Sequence, residues 1–215
     1  APSAYRMASK ESPVGSAAWA RLSGLFAAWG ACDYVGEPVS QAEHSLQCAK
    51  CAMDATKSRA AAPDREEEVL GALFHDIGHM LGLAAPSADP ADRMGDCGVM
   101  HHERLGGAEL RRLGLTPRVA KLVEQHVNAK RYLCGTNPNY YEKLSPASRT
   151  TLGYQGGPFD AEECRAFLAD PDSKVILKLR TWDEAAKVEG MKVPPLESYK
   201  EMLVRNCERQ AAGTA

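Results

Sequence analysis

Along the chain, apolar residues recur at spacings of three and four, the period of helices that bury one face. From Ser16 to Gly30 that face is Trp19, Leu22, Leu25, Phe26 and Trp29, and the glycine ends it. Ser40 with Glu43 forms a capping box that opens a second helix to about Arg59, and Asp64 with Glu67 reads the same way for a third, to about Leu83. The loop from Ala84 to Cys97, rich in Pro, Asp and Gly, is a surface excursion beside whatever the third helix carries. The helical period resumes from Met100 to Leu113. Thr116 and Pro117 then set the N-cap and first position of a helix reaching about Leu133. Cys134 to Pro158 is loop-rich apart from a short helix begun by Ser145 and Pro146. Asp172 opens a helix to about Val188 with Val175, Ile176, Leu179 and Trp182 on one face, and Ser198 with Glu201 caps the last. No alternating β-branched run competes, so the expected fold class is all-α, a single bundle of at least seven helices over 1–215 with its core at about 30–205.

Composition adds boundaries. At 215 residues, 44% hydrophobic and 25% charged, the chain matches an ordinary globular domain, which buries roughly 70% of its unfolded surface. A net charge of −2 leaves no global field for a polyanion, so nucleic acid is excluded as a partner and an anionic ligand must be met by a local cluster. No apolar run approaches the roughly 18 residues of a membrane span, and the start of the chain has no signal pattern. The seven cysteines are an odd count with one CxxC, Cys48 to Cys51, inside a helical pattern and without a second pair. They read as reduced thiols of a cytoplasmic protein.

The sharpest chemical signal is His75-Asp76-Ile77-Gly78-His79. On a helix His75 and His79 stack one above the other, with Asp76 about 100° round on the edge of the same surface, so adjacent His and Asp can both reach one metal. His44 on the preceding helix, His102, His126 and Asp183 give further helices a ligand-type residue on or beside an apolar face. Burying such groups is unfavourable by several kcal/mol unless they are paired or bound to metal. His101 points about 100° away from His102 and reads as an outer or surface residue.

The order His44, His75-Asp76, Asp183 resembles the HD-domain superfamily of metal-dependent helical proteins, over about Tyr34 to Tyr199. A closer resemblance lies in Asp33-Tyr34-Val35-Gly36-Glu37, Gln41 to Gln47, His126 to Tyr132, Tyr154-Gln155-Gly156-Gly157-Pro158 and Arg180 to Glu184. These segments, in this order, resemble the glycine-forming 2-amino-1-hydroxyethylphosphonate dioxygenase family, which belongs with myo-inositol oxygenase among the HD-domain mixed-valence di-iron oxygenases.

The resemblance implies an HD-domain helical bundle with a buried dinuclear metal site. His44, His75, Asp76 and Asp183 would hold one iron, His102 and His126 the other, and Asp76 would bridge the Fe(II)/Fe(III) pair. Nitrogen and oxygen donors without thiolate suit non-haem iron. Tyr34 would ligate the first iron until substrate displaces it together with Glu37, whose carboxylate suits an ammonium group. Lys130, one turn after His126, and Arg180, three before Asp183, would form a cationic cradle for a phosphonate, joined through the resemblance by His79 and Ser148. The implied reaction consumes dioxygen and cleaves the carbon–phosphorus bond of a 1-hydroxyphosphonate to a carboxylate and phosphate. A primary amine on the substrate is favoured by Glu37; a trimethylated one would call for an aromatic cage, for which Tyr132, Tyr140 and Tyr141 stand near in sequence. The competing readings are a dinuclear HD phosphohydrolase and a regulatory HD module. The loop Ala84 to Asp92 is longer than the family's minimum and bears on substrate access.

Overall fold

The computed structural model describes residues 13–34, 36–59 and 62–213; Val35, within one of the segments that carry the resemblance, lies outside them. Eleven α-helices and two short 3-10 turns make up the described residues, with two isolated β-bridges and no strand. The framework is four helices: α2 (Gln41–Thr56), α3 (Pro63–Phe74), α6 (Pro117–Thr136) and α10 (Ser173–Ala185). Helix α2 packs on α3, α3 on α6, and α10 on all three. Their inward positions, among them Cys48, Ala52, Leu70, Leu73, Val123 and Ile176, are fully buried. Helix α1 (Pro13–Trp29) closes one side against α4 (Ile77–Ala84) and α11 (Lys200–Gly213), while α5 (His102–Arg112) lies between α4 and α6.

Caps explain several boundaries. Ser40 and Glu43 form the expected reciprocal box at α2, and Ser145 caps α8 (Pro146–Tyr154). Asp64 and Glu67 do not cap α3, which starts one residue earlier at Pro63 behind Ala62. The Glu67 carboxylate instead accepts the Thr116 hydroxyl at 2.8 Å, so Thr116 stands at the N-cap of α6 without capping it. Asp172 likewise makes no cap at α10 and accepts from Arg118 and Lys121. Ser198 lies in the 3-10 turn Leu196–Tyr199, and α11 starts after it.

The segment read as loop also holds α7 (Pro138–Lys143), and α9 (Ala161–Ala169) follows it behind a capping box of Asp160 and Glu163. Arg131 on α6 ties this region down: its guanidinium donates to the carbonyls of Gly156 and Gly157 and pairs with Glu163. The two segments His126–Tyr132 and Tyr154–Pro158 thus form one folded unit.

The largest departure from the sequence pattern is at residues 75–76. The helix expected to run from 64 to 83 breaks there into α3 and α4, because Asp76 takes φ −106° and ψ 12°, the bridge region between helix and strand. His79 N–H then closes a short turn on the Asp76 carbonyl at 2.9 Å. His75 and His79 consequently do not stack as on an unbroken helix; each faces a different neighbour.

Candidate functional site

The break aims Asp76 between two pairs of histidines. Its Oδ2 lies 3.3 Å from His75 Nε2 and 3.6 Å from His44 Nε2, while its Oδ1 lies 3.3 Å from both His102 Nε2 and His126 Nε2. Within the pairs, the Nε2 atoms are 3.0 Å apart for His44 and His75 and 3.2 Å apart for His102 and His126. Asp183 Oδ1 stands 3.3 Å from His44 Nε2, on the first pair's side. All six side chains are buried.

The backbone sets the tautomer of each ring. Nδ1 of His44 donates to Ala186 O, of His75 to Ala72 O, of His102 to Val99 O and of His126 to Val123 O, at 2.8, 2.8, 3.3 and 2.7 Å. A carbonyl accepts only, so each neutral ring carries its proton on Nδ1 and turns the Nε2 lone pair inward. Each pair therefore sets lone pair against lone pair beside a carboxylate oxygen, and Asp183 Oδ1 is buried without a hydrogen bond. Only a proton or a cation resolves such an arrangement. His44, His75 and Asp76 form one group that could hold a metal ion, and Asp76, His102 and His126 form another. Neither includes a cysteine.

His79 differs in kind. Its Nδ1 accepts the Val99 N–H at 3.2 Å, so the ring proton sits on Nε2 and makes the ring a donor. It stacks on His102 with centroids 4.0 Å apart. Burial and then the neighbouring His102 hold its pKa well below the usual histidine range, so the ring is neutral. Two glycines permit this geometry. A Cβ on Gly78 would meet the His102 carbonyl oxygen at 1.9 Å, and one on Gly98, at φ +114°, would meet His79 at 2.6 Å.

A cavity of about 140 Å³ opens against both groups and is lined by Tyr34, His79, Lys130, Ser148 and Arg180. Lys130 is buried and has no carboxylate partner among the described residues; its Nζ donates to Thr151 Oγ1 at 2.9 Å. Burial, and then the nearby Arg180 charge, bring its pKa down to about 7. Arg180 donates to Asp183 at 2.5 Å, to the Tyr140 hydroxyl at 2.9 Å and to Glu184 at 3.0 Å, leaving Nη2 buried without a partner. Burial pushes the Asp183 carboxyl up, yet Arg180 and the histidines hold it well below the usual carboxylate range; His75, His102 and His126 do the same for Asp76. The Tyr34 ring stacks on His44 at 4.0 Å and its hydroxyl donates to Asp76 Oδ2 at 2.9 Å. Burial, then the charges of Asp76 and Asp183, push its phenol up.

Glu37 lines the cavity too, but Lys187 holds it at 2.6 Å. Lys187 and Thr151 are cavity residues that the sequence reading did not single out, and Gln155 lines it from one of the segments that carry the resemblance. Thr151 had a readable position, one turn after Ser148. His101 turns outward in the left-handed conformation, with its side chain 61% exposed. Of Tyr132, Tyr140 and Tyr141, none lines the cavity: Tyr132 stacks on Phe167, Tyr140 bonds Arg180 and Glu184, and Tyr141 is exposed. The loop expected as a surface excursion does more, since Met94 is buried and Arg93, Met94 and Asp96 to Val99 line the cavity. The seven cysteines carry no disulfide. No helix among the described residues is long and apolar enough to cross a membrane.

The HD domain family model matches residues 42–171. The chain is 38% identical over 188 residues to a 1-hydroxy-2-(trimethylamino)ethylphosphonate dioxygenase (glycine-betaine-forming) of Leisingera caerulea, covering 87% of this chain and 89% of that one. It is 35% identical over 172 residues to a hydroxymethylphosphonate dioxygenase of Gimesia maris, covering 77% of each. An uncharacterized protein of Acanthamoeba polyphaga mimivirus is 33% identical over 84% of this chain and 77% of its own. The chain belongs to the HD-domain family and, within it, to the oxygen-dependent phosphonate dioxygenases.

Proposed function

We propose that this protein cleaves the carbon–phosphorus bond of a small 1-hydroxyphosphonate with dioxygen, at two irons that share Asp76. The observation that carries the reading is the division of the Asp76 oxygens between two histidine pairs, beside a cavity lined by buried cations. In this reading His44, His75, Asp76 and Asp183 hold one iron and His102, His126 and Asp76 the other. An Fe(II)/Fe(III) pair, when bound, supplies dioxygen activation and removal of the hydrogen at C1. The whole reaction balances as R–CH(OH)–PO3H2 plus O2 giving R–COOH plus H3PO4.

The chain's own part is binding and orientation. Lys130, the free Nη2 of Arg180 and the His79 Nε2–H present three donors to the phosphonate, with the Ser148 hydroxyl as a fourth. Tyr34 rests on Asp76, and in this reading it would leave that contact, with Glu37 moving beside it, when substrate binds. Met94 and Val99 add apolar lining to the cavity. The substrate we favour is (R)-2-amino-1-hydroxyethylphosphonate, converted to glycine and phosphate, with Glu37 receiving its ammonium. The trimethylated analogue is the second reading, favoured by the relative that forms glycine betaine. Against it, Tyr34 is the one tyrosine on the cavity wall among the described residues, and an aromatic cage needs more.

Iron-loaded protein given the aminophosphonate in air should take up oxygen and release phosphate in equal amounts, together with glycine. Phosphate release that proceeds unchanged without oxygen would instead mark a hydrolase. The pH profile carries a further expectation. Lys130 is a cation below about 7 and neutral above it, so kcat/KM, which reports the free enzyme, should fall as pH rises through that value. Lys130→Met should lower kcat/KM and remove that limb; a limb that persists in the variant assigns it to another group.

A further inference from the structure

Lys187 stands where no part of the proposed chemistry requires a cation, yet it is held there firmly. It follows α10, where Ala186 O accepts the His44 ring N–H at 2.8 Å. On its other side Val188 bonds the Gln47 side chain twice, at 2.8 and 3.0 Å. The backbone carrying Lys187 is thus fastened to α2 on both flanks, and only its side chain is free to move. That side chain meets Glu37 at 2.6 Å, and the two are 16% and 10% exposed. Lys187 Nζ also lies 6.0 Å from the centroid of the Tyr34 ring, whose hydroxyl touches Asp76.

The pair is nearly buried, so removing either charge without replacement is unfavourable. A substrate whose second carbon bears an ammonium must compete with Lys187 for the Glu37 carboxylate, and reaches the oxygen that Lys187 holds only by displacing it. A substrate with no charge at that position leaves the pair intact. We propose that Lys187 is a specificity-determining residue: by occupying Glu37 it makes the cavity discriminate among 1-hydroxyphosphonates by the charge on their second carbon. The proposal rests on the phosphonate-cleaving reading above and names which members of that substrate class gain or lose.

The test compares kcat/KM for 2-amino-1-hydroxyethylphosphonate and for 1-hydroxyethylphosphonate, which keeps the second carbon without a charge, in the iron-loaded protein. Lys187→Met frees Glu37 for the substrate ammonium and should raise the ratio of the aminated to the plain substrate by about tenfold, the equivalent of one exchanged contact. Lys187→Gln, which keeps a polar group at the position, should act in the same direction, whereas Lys187→Arg should leave the ratio unchanged. In a Glu37→Gln background the effect of Lys187→Met on the ratio should vanish. An unchanged ratio in both Lys187→Met and Lys187→Gln overturns the proposal, and so does an effect that persists without the Glu37 charge. If the parent protein turns over neither phosphonate, the functional reading itself fails and takes the proposal with it; turnover with an insensitive ratio fails the proposal alone.

Discussion

Replacing Asp76 by asparagine is expected to remove bound metal and turnover together. Asparagine keeps the shape of the side chain but carries no charge, and its nitrogen cannot ligate as a carboxylate oxygen does. In the native chain Asp76 is the one anion that faces both histidine pairs, at 3.3 Å through one oxygen and at 3.3 and 3.6 Å through the other. The remaining donors of the second pair are neutral rings. Loss of an outer partner to a metal ligand lowers affinity or activity by roughly 10- to 100-fold, so loss of a ligand common to two ions should exceed about 100-fold. Metal analysis after iron loading should find two ions per chain in the parent protein and fewer than one in the variant. Retention of both ions by Asp76→Asn would mean that the carboxylate does not join them.

Arg180→Met has the second large expected effect, on stability. The guanidinium and Asp183 are both buried and 2.5 Å apart, and Glu184 and Tyr140 complete the network. Removing one partner of a buried ion pair leaves an uncompensated charge and destabilises by about 3–5 kcal/mol. Metal-free Arg180→Met should therefore unfold at markedly lower denaturant than the metal-free parent. Iron loading should shrink the difference, because a cation beside Asp183 replaces the lost guanidinium. A difference of the same size with and without iron would place Asp183 outside the metal site. The variant should also show a raised KM for phosphonate through loss of the free Nη2.

The sequence displays helices such as α1 and α10 well because each buries one continuous stripe. Leu22, Leu25 and Phe26 on α1, and Ile176 and Leu179 on α10, lie on the core face that their spacing suggests. The break at 75–76 was not legible, since Leu70, Leu73, Phe74, Ile77 and Met80 keep an apolar character straight across it. That break is what turns Asp76 toward two histidine pairs at once, so spacing alone gave the residue types at the site, while their division between two metals rested on the resemblance. Helix α9 had a readable capping box in Asp160 and Glu163, yet buries only Phe167 and shows little apolar period. Lys187 falls within the helix expected to run to about Val188, whereas α10 ends at Ala185; its position beside Glu37 follows from α10 crossing α2, a tertiary fact with no local signature.

The central claim is that dioxygen, not water, breaks the carbon–phosphorus bond at a site organised by Asp76. The most direct measurement is turnover of 2-amino-1-hydroxyethylphosphonate by the iron-loaded protein under oxygen-18 gas in ordinary water, with mass analysis of the products. One labelled oxygen should appear in the carboxylate of glycine, with phosphate released in equal amount. An unlabelled organic product formed at the same rate under argon would contradict the claim and mark hydrolytic cleavage of the carbon–phosphorus bond.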